Sequence, residues 1–317
     1  MEGICLTWQR TASDPIIAAG PADGVVPAGG APLAARAAMI SRLLPSEDVV
    51  IVGRTAAWIW GLDVLPPGAD EADWDVELVV PAPRDGPSGP SAVLSGASRA
   101  AAGFTARPCD AVKVPAEHVV EEGGVRITSL TRTALDCARW LPRDDAVAAL
   151  DQFLRRGVEP GELTAMARGL PGYRGNRRLR EIIRLGDPGA ASPAESRVRV
   201  TLVRAGFPRP DTQVPVTGPR GRLLYVDLGY PDLRVGIEYD GERHHSGRAA
   251  RAHDARRRRW LARERDWEII PVTRSFLYRP APYLEALLTA MLHRGWRPDD
   301  VTMGRLAARI ASVRRRR

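Results

Sequence analysis

Cysteine is scarce in this sequence, and no long apolar run is present. Cys5, Cys109 and Cys137 are an odd number at unrelated spacings with no CxxC pair, so neither a disulfide framework nor a thiolate zinc site is supported. No stretch approaches the roughly 20 apolar residues of a membrane-spanning helix. The first residues also lack the basic stub and apolar core of a secretory signal. These absences predict a cytoplasmic protein with no membrane partner.

Lysine is almost absent, because Lys113 is the single lysine among 46 basic side chains. Residues 191–317 contain 26 basic and 14 acidic side chains, a net of +12, against a net of −4 for residues 1–190. Arginine can fork onto phosphate oxygens and stack on bases, so the basic half predicts contact with nucleic acid. A GC-rich genome would explain arginine in place of lysine, but it would not explain the net of +12.

Composition and periodicity predict an α/β (α+β) chain in four parts. A Gly- and Pro-rich stretch at 186–192 marks the main boundary, where composition and charge change together. The expected parts are a loose segment at 1–35, a smaller α+β domain at 36–188, a basic domain at 189–298 and a frayed basic tail at 299–317.

Helices and strands alternate in the basic domain. Ser192, Pro193 and Glu195 are typical of a helix N-cap, a first-turn proline and a capping-box carboxylate. Beyond that helix, the pattern predicts strands at 222–229, 233–239 and 267–273 and helices at 249–265 and 282–293.

Three acidic residues on the two central strands suggest a metal site. Asp227 lies between apolar residues, where an isolated carboxylate is costly, and Glu238 and Asp240 project from one face of the next strand. A turn with an even number of residues, centred between residues 231 and 232, pairs residues whose numbers add up to 463. This register places Asp227 opposite Gly236 and diagonal to Glu238. Two carboxylates on one face suit Mg²⁺. A three-residue turn would separate them, and an arginine ion pair would explain either acid alone.

These residues and their spacing carry a resemblance to a known family. The sequence has Glu195, VD at 226–227, IEYDG at 237–241, HH at 244–245 and HDARRRRWLARERDWEIIPV at 253–272. Over about residues 190–295 it resembles the PD-(D/E)XK nuclease superfamily, and within it the branch related to very-short-patch-repair endonucleases.

The resemblance implies a restriction-endonuclease-like αβββαβ core with a mixed sheet flanked by helices. It implies that Asp227, Glu238 and the main-chain carbonyl of Tyr239 bind Mg²⁺ or Mn²⁺. Glu195 would orient water or the metal, and the capping box is an equal alternative for it.

The chain departs from the superfamily at one position, because Asp240 stands where a lysine is usual. Its catalytic task would then fall to His244, His245 or the arginines Arg256, Arg257, Arg258 and Arg259, which are also the expected nucleic-acid contacts. A solvated loop is the alternative explanation for the histidine pair. Asp254 and Arg257 match the superfamily pattern on this helix, with a helix-surface ion pair as the alternative.

The first half is similar to the C-terminal domain of AbiEi-type antitoxins. GRTAAWIWGLDVL at 53–65 and VRITSLTRTALDCAR at 125–139 carry this similarity, with Thr128, Arg132 and Asp136 as its pattern residues. A capped and charged helix start explains the same three residues without any function.

The sequence therefore predicts a metal-dependent DNA endonuclease that hydrolyses phosphodiester bonds with an antitoxin-like accessory domain. The alternative is a non-catalytic DNA-binding or antitoxin-type regulator with a degenerate nuclease fold. An RNA nuclease would use the same residues, and the expected partners include a second copy of the chain in a homodimer.

Overall fold

The computed structural model describes residues 32–43, 49–80, 104–108, 114–170, 176–240 and 248–315. The fold is α+β, as the sequence predicts. The helices are α1 (Leu33–Leu43), α2 (Gly53–Ile59), α3 (Leu130–Trp140), α4 (Arg143–Arg155), α5 (Pro160–Gly169), α6 (Asn176–Leu185), α7 (Pro193–Ala205), α8 (Arg248–Arg265), α9 (Arg274–Tyr278), α10 (Ala281–His293) and α11 (Asp300–Arg315). The strands are β1 (Val50–Ile51), β2 (Val76–Val80), β3 (Phe104–Pro108), β4 (Val119–Glu122), β5 (Val125–Thr128), β6 (Asp211–Thr217), β7 (Leu223–Tyr230), β8 (Val235–Asp240) and β9 (Glu268–Thr273).

The chain divides into two compact units between residues 136 and 137. The sequence placed the main boundary at 188/189, so α4, α5 and α6 fall in the second unit instead of the first domain. A buried ion pair helps to explain this. Asp151 of α4 meets Arg199 of α7 at 2.5 Å, and both side chains are fully buried. Separating these helices would leave an uncompensated charge in the interior.

The first unit contains a five-stranded sheet in the order β3-β2-β1-β5-β4. Apolar residues of α1 and α2 pack against its central strands. The three residues of the antitoxin-like pattern take part in local bonds at the start of α3. Arg132 and Asp136 form a buried ion pair of 3.0 Å, and the Thr128 hydroxyl bonds the Thr133 hydroxyl at 2.7 Å. These contacts account for the residue types as parts of a capped and charged helix start.

The second unit holds the predicted α–β–β–β–α–β succession in α7, β6, β7, β8, α8 and β9. Its sheet has the order β6-β7-β8-β9, with antiparallel pairs except for the parallel β8–β9 pair. One face packs against α7, α10 and α11. The other face packs against α8 through Leu261 and Trp267. None of the helices in the described ranges combines the length and apolar character needed to cross a bilayer.

The C-terminal segment is a helix where the sequence predicts a frayed tail. In α11, Leu306 is fully buried and Ile310 is nearly so, and both join the core of the second unit. Their spacing of four residues places them on one helix face. The sequence predicts a frayed tail here because arginine dominates the local composition and only two apolar residues of this segment are buried in the core.

Replacing Leu306 with alanine should therefore lower the free energy of unfolding by about 2–5 kcal/mol, because it leaves a cavity in a packed core. Urea unfolding followed by circular dichroism measures this. Val301→Ala on the same helix is the control, since Val301 is 61% exposed and should change stability by less than about 0.5 kcal/mol. Equal small effects from both substitutions would contradict the packing of α11.

Candidate carboxylate site

Glu195 occupies the first turn of α7, where the predicted capping box forms. The Ser192 hydroxyl accepts the backbone N–H of Glu195 at 3.2 Å and donates to Glu195 Oε1 at 2.9 Å. Glu195 Oε2 accepts the backbone N–H of Ala191 at 2.9 Å. The carboxylate is thereby fixed at the helix N-terminus, where the helix dipole favours negative charge.

Asp227 lies where strands β7 and β8 separate. The β7–β8 ladder runs from Tyr230↔Val235 to Leu228↔Ile237 and ends there. Just beyond it, Asp227 Oδ2 accepts the backbone N–H of Tyr239 at 2.9 Å. The carboxylate takes the place of a main-chain carbonyl as the acceptor of this N–H, so the β7–β8 ladder does not continue beside it.

The register differs from the expected one by two residues. Leu228 pairs with Ile237, a sum of 465 instead of 463, and Gly236 faces Gly229 where Asp227 was expected. The cause is a four-residue loop at 231–234 that ends on Arg234 in a left-handed conformation. Asp227 and Glu238 are the residues that follow the last pair of this ladder on their two strands, and the charge of Asp227 raises the pKa of Glu238.

Two arginines of α8 bond the acidic residues of β8. Arg257 Nη1 lies 2.5 Å from Glu238 Oε1, and Arg257 Nη2 donates to the carbonyl of Tyr225. Arg258 lies 3.4 Å from Asp240. Arg257 therefore pairs with Glu238, and the helix-surface pair with Asp254 is not formed.

The four arginines predicted to contact nucleic acid thus divide into two kinds. Arg257 and Arg258 are partly buried against carboxylates, whereas Arg256 and Arg259 are exposed on α8. His244 and His245 lie outside the described residues.

Gln213 is a member of the site that sequence reasoning missed. It lies on β6, for which the sequence analysis gives no range, and it stands opposite Asp227 between Thr212↔Leu228 and Val214↔Val226. Its Nε2 donates to Glu195 Oε2 at 3.0 Å, and its amide favours the charged form of Asp227, which lowers the pKa of that carboxyl. Nothing in the local pattern DTQVPVT marks this role, because it depends on pairing with a distant strand.

Burial dominates the electrostatics of the three carboxylates. It raises the pKa of Glu195 to about 7, helped by the charge of Asp227. Burial also raises the pKa of Asp227, against the Tyr239 N–H, Arg257 and Gln213, which favour its charged form. The pKa of Glu238 is raised by burial and by Asp227, although Arg257 opposes this. The group carries more negative charge than Arg257 balances.

The described residues include no group of three or more His, Cys, Asp or Glu side chains that could together hold a metal ion. The charge of Asp227 acts on both Glu238 and Glu195, so the three carboxylates are near one another, and Gln213 bonds Glu195. The backbone of Tyr239 lies beside Asp227, as its N–H shows. An ion at this site would therefore have two side-chain ligands and would depend on main-chain, water or substrate oxygens for the rest.

Comparison with known proteins gives relatives without an assigned activity. No protein-family model matches the chain. Uncharacterized proteins from two strains of Mycobacterium tuberculosis are each 32% identical to it over 164 residues, which is 51% of this chain and 60% of each relative. The chain thus spans about three fifths of the length of the curated relatives it matches. No solved structure matches it.

The raised pKa of Glu195 predicts a pH-dependent stability. The unfolded chain releases this proton near the ordinary pKa of 4.5 and the folded chain near 7. The folded state therefore binds more protons between these values, and the free energy of unfolding falls as the pH rises. At about 1.4 kcal/mol per pKa unit, the contribution of this group is about 3 kcal/mol.

Glu195→Gln should flatten the stability profile between pH 4.5 and 7, as measured by urea unfolding across that range. Glu264→Gln serves as the matched control, since Glu264 is exposed on α8 and should leave the profile unchanged. A Glu195→Gln profile as steep as that of the wild type would contradict the assignment.

Proposed function

We propose that this chain is a metal-dependent nuclease that hydrolyses phosphodiester bonds, with DNA as its substrate. The observation that carries the proposal is the convergence of Glu195, Asp227 and Glu238, all desolvated, where β7 and β8 separate. The cation that the described structure bonds to this group is Arg257. Buried carboxylates in excess of their counter-charge are costly unless they take up a proton or a further cation joins them, and a divalent cation would keep all three ionised.

The donor set fits a hard divalent cation. Asp227 and Glu238 supply carboxylate oxygens from neighbouring strands, and Mg²⁺ prefers one or two carboxylates together with water and phosphate oxygens. Asp227, Glu238 and the main-chain carbonyl of Tyr239 would hold it. When bound, Mg²⁺ or Mn²⁺ lowers the pKa of water and polarises a phosphate.

The side chains around these ligands supply the remaining requirements of hydrolysis. Glu195, with a pKa of about 7, exchanges a proton at neutral pH and is suited to accept one from an attacking water. Arg258, beside Asp240, brings positive charge close to the position of the usual lysine. Arg256 and Arg259 project from α8 and would contact backbone phosphates.

A second function, nucleic-acid binding without cleavage, is favoured by a different observation. The pairs Arg257–Glu238 and Arg258–Asp240 neutralise two of the acids without any metal. In that case the pairs would hold α8 against the sheet, and the carboxylates would have a structural role. The two functions predict different effects of neutralising these carboxylates. Cleavage is lost under the first function, whereas under the second there is no cleavage to lose.

A cleavage assay on supercoiled plasmid with Mg²⁺ or Mn²⁺ tests the first function. We expect metal-dependent nicking that EDTA abolishes and that falls at least 100-fold in Asp227→Asn and Glu238→Gln, because each substitution removes a ligand charge. Glu264→Gln is the control with the same change of charge on an exposed part of α8 and should nick as the wild type does. Binding without nicking of DNA or RNA under every metal would favour the second function.

Substitution of the two exposed arginines tests the nucleic-acid surface. Arg256→Ala with Arg259→Ala should weaken duplex binding and reduce the slope of log K against log salt by about 2, because each lost phosphate contact contributes about 0.9. Fluorescence anisotropy in EDTA at several salt concentrations measures this without cleavage. Arg305→Ala is the control, an exposed arginine on α11, and an unchanged slope in the double variant would contradict this surface.

A further inference from the structure

Gln213 has a backbone conformation that is unusual for its residue type. Its φ is 49°, in the left-handed region, within strand β6. Residues with a Cβ rarely adopt this region, and among them asparagine and aspartate are the common exceptions. The pairs on both sides, Thr212↔Leu228 and Val214↔Val226, keep the same register. The strain is therefore confined to one residue, which is the one opposite Asp227.

The same point marks a change of face in the neighbouring strand. Val226 packs in the core beneath α8, whereas Leu228, only two residues later, packs in the core on the opposite face. Regular alternation would place both on one face. Strand β7 therefore changes face beside Asp227, and opposite this point Gln213 reaches Glu195 at the N-terminus of α7.

The Gln213 amide lies between two acids. It donates to Glu195 Oε2 at 3.0 Å, and it stands opposite Asp227 in the β6–β7 pair, where it favours the charged form of that carboxylate and so lowers its pKa. A primary amide has two N–H donors, and an ionised carboxylate can only accept, so one amide can serve both acids. A lysine or arginine at this position would neutralise the acids and so weaken the binding of a divalent cation. A neutral amide holds the acids in place without lowering their negative charge.

We infer that Gln213 is a positioning residue of the carboxylate site, held in a strained conformation so that its amide sets the placement of Asp227 and Glu195 for a divalent cation. This inference rests on the proposed function, because it concerns the same ion. It adds a residue from β6, so four consecutive elements of the core (α7, β6, β7 and β8) contribute to one site. Groups that orient metal ligands typically matter 10–100-fold for metal affinity.

Two substitutions separate the amide from the backbone. Gln213→Gly removes the amide and suits the left-handed conformation, whereas Gln213→Ala removes the amide and keeps the strain. We expect Mn²⁺ affinity, measured by calorimetry in the absence of nucleic acid, to fall about tenfold or more in both variants. The Tm of the glycine variant should equal or exceed that of the wild type. Arg220→Gly relieves a similar φ of 57° in the β6–β7 connection and should leave Mn²⁺ affinity unchanged.

The outcomes distinguish this inference from the function on which it rests. Loss of Mn²⁺ affinity and of plasmid nicking in Gln213→Gly, with Tm retained, supports a positioning role. Wild-type affinity and nicking in that variant overturn the inference and leave the nuclease proposal standing, since a glycine would then satisfy everything that the site requires at this position. A wild-type chain that neither binds Mn²⁺ nor cleaves overturns the proposed function, and the inference with it.

Discussion

Three buried carboxylates with little counter-charge are the constraint on which the second unit depends. Glu195, Asp227 and Glu238 come from α7, β7 and β8, and burial raises the pKa of each. A folded chain that concentrates like charge in this way must offset it with hydrogen bonds and counter-charge. The capping box, the Tyr239 N–H, the Gln213 amide and Arg257 supply these.

The same constraint explains local irregularities that packing alone does not require. The β7–β8 ladder stops at Leu228↔Ile237, because Asp227 takes the next backbone N–H for its own carboxylate. On the other side of Asp227, β6 keeps its register only by placing Gln213 in a left-handed conformation. The same point is where β7 changes the face that it packs, with Val226 beneath α8 and Leu228 in the opposite core, so the acids and the change of face coincide.

Much of this arrangement follows from local sequence signals. Ser192, Pro193 and Glu195 predict the start of α7 from cap chemistry, and the apolar pattern predicts β7, β8, β9 and the basic helix α8 to within two residues. The exact pairing of β7 with β8 does not follow, because the conformation of Arg234 decides the loop length. The role of Gln213 is also hidden, because it depends on pairing with residues 14 or more positions away. Helix α11 is likewise not predicted, because the arginines of this segment favour an exposed tail, although Leu306 and Ile310 have helical spacing.

Asp240, at the position where the resemblance to the nuclease superfamily implies a lysine, shows how the charges of the site are distributed. It pairs with Arg258, so positive charge reaches the end of β8 from α8. Arginine remains protonated in proteins and cannot accept a proton from water. Under the proposed function, proton transfer therefore requires another group, and Glu195 is the described side chain at the site whose pKa, about 7, suits it. The capping box and the catalytic role proposed for Glu195 are thus compatible, because the bonds that close the helix also hold the carboxylate in place.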